Sequence, residues 1–122
     1  MFKNILLVGL GGFVGSILRY AAYLLIDKRF DTSFPLSTFT VNIVGSFLLG
    51  IILAYSTRDA LSEPMRLLLA VGLCGSFTTF STFALENLNL LSQREIFTSF
   101  IYVALSAIIG IVAAWFGQWM VK

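Results

Sequence analysis

Histidine is absent from the sequence, and cysteine occurs once, at Cys74. One chain therefore cannot build a His/Cys metal cage, a histidine general base or an intrachain disulfide. Charge is scarce as well. The 8 Lys+Arg and 6 Asp+Glu make only 11% of 122 residues, where a soluble domain carries about a quarter. So few charges cannot cover a water-facing surface. A net charge of +2, scattered along the chain, does not point to nucleic acid either. Soluble enzymes and nucleic-acid binders are excluded together. What remains is a chain that is 58% hydrophobic with 12 Phe and a mean hydropathy of +0.94. It reads as an integral membrane protein, all-α.

Four apolar segments each approach the roughly 20 residues needed to cross hydrocarbon. They run over about residues 4–26, 36–55, 65–92 and 96–121, and short connections make residues 1–122 one four-helix transmembrane domain. The two prolines, Pro35 and Pro64, stand just before spans, where a missing N–H does least harm. The first segment is longer than a signal-peptide core and contains Arg19, so it reads as a span and not as a cleaved leader. Orientation should follow loop Lys/Arg bias. One side would carry Lys3, Arg58, Arg66 and Lys122, the other Lys28, Arg29 and Arg94. That near balance allows insertion both ways round, as an antiparallel dimer requires; the alternative is that a single residue such as Lys3 fixes one orientation.

Three spans place small or polar residues on one face at four-residue spacing. These are Gly11, Gly15 and Arg19; Asn42, Ser46 and Gly50; and Tyr102, Ser106, Gly110 and Ala114. Close helix packing explains the glycines. Arg19 and Asn42 lie within spans, where a charge or an amide is costly and needs a partner, a cavity or an ion path. The third span differs. Its run Gly72-Leu73-Cys74-Gly75-Ser76-Phe77-Thr78-Thr79-Phe80-Ser81-Thr82-Phe83 sets glycines, hydroxyls and β-branched residues in mid-membrane. Such a run suits a helix broken near Gly75–Thr79, with carbonyls of the first half turned inward toward a cation. The second half would then show Phe80, Phe83 and Asn87 on one face, with Ser81, Thr82 and Glu86 nearby.

That run, with Thr40-Val41-Asn42-Ile43-Val44-Gly45-Ser46 and Gly15-Ser16-Ile17-Leu18-Arg19-Tyr20, resembles the Fluc/CrcB fluoride channels over essentially the whole chain. The resemblance implies an antiparallel, dual-topology homodimer in the inner (plasma) membrane, not an enzyme. It implies two pathways for passive fluoride efflux, which limits cytoplasmic fluoride toxicity. It further implies a structural Na⁺ at the dimer centre, held by the backbone carbonyls of Gly75 and Thr78 from both subunits. The family's phenylalanine pair falls on Phe80 and Phe83, its pore asparagine on Asn42, and its fourth-helix polar track on Tyr102 and Ser106. Gly110 and Ala114 stand where relatives carry hydroxyls, a departure that shifts more of the track to Ser81 and Thr82.

The chemistry of these residue types agrees. Fluoride is small and strongly hydrated, so a pore must replace its water with donors. Asn42 and the Ser, Thr and Tyr hydroxyls supply donors, phenyl edges are electropositive, and Arg19 would add positive potential near an entrance. Two other classes compete. A small dual-topology multidrug/proton antiporter needs a membrane carboxylate, and only Glu86 is a candidate; a non-transporting assembly subunit would use the polar faces for packing alone.

Overall fold

The computed structural model describes residues 1–122. α1 covers Phe2–Arg29 and α2 covers Leu36–Thr57. α1 continues past the apolar run through Asp27-Lys28-Arg29, with both basic residues in its last turn, where cations complement the helix dipole. Hydropathy marks where hydrocarbon ends; backbone hydrogen bonding carries the helix beyond it. Pro35 caps the start of α2. At its other end, Thr57 Oγ1 donates to the Ala54 carbonyl at 2.9 Å.

The third span is built from four pieces. α3, Glu63–Arg66, has Pro64 in its first turn. A π-helical stretch, Leu67–Cys74, follows without interruption, and then the single turn α4, Gly75–Phe77. The chain opens at Thr78 (φ −87, ψ 158) and Thr79 (φ −149, ψ 123) before α5, Phe80–Ser92, resumes. The break thus sits at two threonines. Gly75 stays helical at φ −62 and ψ −33. β-Branched side chains favour extended backbone, so the Thr78–Thr79 pair opens where the glycine does not. α6, Ile96–Val121, completes the chain.

Four helical spans are long and apolar enough to cross a membrane, counting Glu63–Ser92 as one. They pack as two close pairs. α1 lies against the π-helical stretch and α4, and α2 lies against α6. Glycines set both distances. A Cβ on Gly11 would fall onto the Leu68 carbonyl, one on Gly15 onto the Leu73 carbonyl, and one on Gly72 within 2.7 Å of the Val8 carbonyl. Between α2 and α6, Gly50 faces the Ala114 carbonyl and Gly117 the Phe47 carbonyl. Backbones meet directly there, as small residues permit in membrane helix pairs.

The interior is small; Val41, Ala54, Cys74, Leu90 and Tyr102 are its buried apolar members. The exterior is apolar instead. Phe97 is 77% exposed, Ile111 72% and Phe100 69%, a surface suited to lipid. This is a multi-pass membrane protein.

Gly50→Val is expected to drive a β-branched side chain into α6 backbone and to cost about 1–3 kcal/mol or more. Size-exclusion chromatography in detergent should show lost monodisperse protein for Gly50→Val. Gly9→Val, whose Cβ would meet nothing within 4 Å, should elute as the parent does.

Candidate functional site

Two peptide groups decide what the break can do. In an unbroken helix the Thr79 N–H would bond the Gly75 carbonyl, and the Thr82 N–H the Thr78 carbonyl. Neither bond is made that way. The Thr79 N–H goes to Asn42 Oδ1 at 2.8 Å. The Thr82 N–H goes to the Thr79 side chain, Oγ1, at 3.2 Å. Asn42 Nδ2 returns a bond to the Thr79 carbonyl at 3.1 Å, so the α2 amide holds the Thr79 residue from both sides. Thr79 itself is the N-cap of α5, a role for which a threonine oxygen is well suited.

The consequence is a run of carbonyls, from Gly75 through Thr78, that have lost their helical donors; Gly75 and Thr78 are its two ends. Carbonyl oxygens without donors, in a dry region, are hard ligands suited to a small hard cation. Gly75 also has room around it. A Cβ there would find only the Ala70 carbonyl, at 3.8 Å, and the residue is exposed. Its own chain therefore places no steric demand for glycine at this position.

Around the break lies a cleft of about 470 Å³, lined among others by Asn42, Gly75, Thr78, Phe80, Phe83 and Ser106. The Phe80 and Phe83 rings are 5.8 Å apart between centroids, tilted by 40°. Phe80 is 78% exposed, leaving one wall of the cleft open. Ser106 Oγ is buried with no hydrogen-bond partner. The cleft thus offers an unused hydroxyl, the second Asn42 N–H and aromatic edges, a donor set for a small anion.

Other expected residues fall elsewhere. Ser81 and Thr82 gather on the Thr79 cap, with Thr79 Oγ1 3.4 Å from Ser81 Oγ and 3.1 Å from Thr82 Oγ1; they do not line the cleft. Arg19 does not line it either, and is half-buried on α1. Tyr102 is fully buried and donates to Glu86 Oε1 at 3.0 Å. Its ring packs against Phe83, with centroids 4.8 Å apart and planes tilted by 60°, so it borders the cleft from behind.

Tyr102 and Glu86 lead into a wider polar set, of which Tyr23, Asp27, Ser37, Thr38 and Ser99 stand outside the sequence motifs. Tyr23 Oη and Thr38 Oγ1 are 2.5 Å apart, and Ser37 donates to Asp27. Ser99 donates to Asn87 Oδ1 at 2.8 Å, and Asn87 Nδ2 to the Phe83 carbonyl at 2.9 Å. Tyr23, Asp27, Ser37 and Glu86 help line a second cavity of about 250 Å³ beneath the α1–α2 connection. The helical spacing of Tyr23 with Asp27, and of Ser99 with Tyr102, carried that signal. Thr79 was legible too, as a threonine three residues before another hydroxyl at a helix start.

Asn42→Leu removes both bonds to Thr79 and strands two buried backbone groups, each worth about 1–3 kcal/mol when left unpaired. A lowered thermal midpoint in detergent is expected. Thr79→Ser keeps the cap oxygen and should melt close to the parent, whereas Thr79→Val should lose about 1 kcal/mol.

A family model described as CrcB-like protein, Camphor Resistance (CrcB), matches residues 6–118. The chain is 41% identical over 121 residues, 98% of each partner, to a protein of Flavobacterium psychrophilum called Fluoride-specific ion channel FluC. It is 42% identical over 118 residues to a protein of that name from Phocaeicola vulgatus, covering 97% of this chain and 98% of the other. A third, from Idiomarina loihiensis, is 45% identical over 106 residues, covering 87% and 82%. With that match and those identities over nearly its whole length, this chain is a member of the CrcB family.

Proposed function

We propose that the protein is a fluoride-selective channel giving passive efflux across the inner membrane and so limiting cytoplasmic fluoride toxicity. The observation that carries this reading is the cleft itself. It is a mid-membrane space where Asn42, Ser106 and the Phe80–Phe83 pair present hydrogen-bond donors and ring edges, with no carboxylate in its lining. An anion can shed water only where such groups replace it. Relatives named as fluoride-specific channels support the choice of ion.

The working unit is an antiparallel, dual-topology homodimer. Two features support it. The loop charges nearly balance across the membrane, and the cleft is open on the side where Phe80 and Gly75 are exposed. A second copy over that side would close the cleft and bring two breaks together. The Gly75 and Thr78 carbonyls of both copies would then hold one sodium ion, which supplies positive potential and ties the two breaks into one structure.

Within each chain the residues divide the work. Asn42 holds the Thr79 peptide and keeps one N–H for the anion. Phe80 and Phe83 offer their edges, and Ser106 its unpaired hydroxyl. Tyr102, bound to Glu86 and packed at a tilt against Phe83, fixes that ring's position.

Purified protein in liposomes should release fluoride and retain chloride with no proton gradient applied; equal passage of both ions would defeat the reading. Phe80→Ile and Phe83→Ile should each slow fluoride release about tenfold while the dimer persists.

Gly75→Val meets no obstacle in its own chain, so its effect reports on the assembly. It should lose the dimer in cross-linking or gel filtration. A dimeric and fully active Gly75→Val protein would remove the carbonyl cluster from the dimer centre.

A further inference from the structure

The cleft contains a hydroxyl that nothing in the chain engages. Ser106 Oγ is buried and has no partner, a condition native proteins rarely tolerate unless the group has a task. One turn further along α6, Gly110 leaves a gap. The nearest groups to a Cβ built there are Ile43 Cδ1 at 3.8 Å and Ser46 Oγ at 3.9 Å. Ser46, from α2, thus holds its hydroxyl beside the space that a side chain at position 110 would occupy, and it lines the same cleft as Ser106 and Asn42.

Ser46 Oγ donates to the Asn42 carbonyl, one turn back on its own helix, at 2.7 Å. That is the ordinary resting place of a helical serine. The carbonyl lies inside α2 and is served by the helix ladder as well. Rotation of the Ser46 side chain therefore gives up one hydrogen bond and strands no backbone group. The hydroxyl is free to turn toward an anion and to return when the anion has left.

We propose that Ser46 is a donor of the anion path, acting with Ser106 to bind a small hard anion in transit. It supplies from α2 the hydroxyl that α6 lacks at Gly110. The class of ligand follows from hydroxyl protons facing a narrow gap, which suit fluoride better than a larger, softer anion. The inference rests on the reading of the chain as a fluoride channel.

The test is fluoride efflux from liposomes for the parent, Ser46→Ala, Gly110→Ser and the double variant, with each dimer checked by gel filtration. Ser46→Ala should release fluoride about fivefold more slowly, the effect of losing one modest hydrogen bond. Gly110→Ser alone should conduct as the parent does, because the space is open. In the double variant the hydroxyl returns from the opposite helix, and most of the parent rate should return with it. A serine that merely bonds its own helix could not be rescued from α6. Parent-like flux in Ser46→Ala, an unrescued double variant or a blocked Gly110→Ser would each overturn the proposal. A parent protein that passes no fluoride would defeat the channel reading itself, and this inference with it.

Discussion

The Asn42–Thr79 pairing is the interaction on which the rest depends. A helix cannot be opened in hydrocarbon unless its freed peptide groups find partners inside the protein. Here one asparagine amide accepts from the Thr79 N–H and donates to the Thr79 carbonyl, while the Thr79 hydroxyl takes the Thr82 N–H. Those substitutions make the break affordable, and they also determine which groups are left over. The left-over groups are the carbonyls from Gly75 through Thr78, and the proposed sodium site draws on the two at the ends of that run.

The same arrangement separates opposite chemistries over a short distance. Carbonyl oxygens, suited to a cation, arise on the first half of the third span. Donors on α2 and α6 and ring edges on α5, suited to an anion, gather around the adjoining cleft. The glycine contacts make this proximity possible. Gly45 admits the Thr78 side chain against α2, and Gly11, Gly15 and Gly72 bring α1 onto the π-helical stretch. Larger residues at these places would hold the spans apart and move Asn42 out of reach of Thr79.

Much of this was legible in the residues. The four spans follow from apolar runs bounded by prolines and charges, and the mid-membrane cluster of glycines and threonines signals a break. Its location was less so. Sequence favoured a zone from Gly75 to Thr79, and glycine is the usual suspect. The chain opens at Thr78–Thr79 because β-branched residues accept extended backbone and Asn42 waits opposite. Hydroxyl roles were harder to assign. Ser81 and Thr82 look equivalent to other track residues in one dimension, yet they cluster on a helix cap. Tyr102 looks like a free donor, yet its hydroxyl is already donated to Glu86.

Composition and spacing alone determined the medium, the number of spans and the faces that carry polar groups, because transfer free energies and helix periodicity are local properties. The family resemblance added the identity of the ion. Only the tertiary structure decided which polar groups are spent and which are spare. Asn42 is half committed to Thr79, Tyr102 is committed to Glu86, and Ser106 is committed to nothing. Hydrogen-bond partnership between helices depends on how closely their backbones approach, and no single stretch of sequence contains that distance.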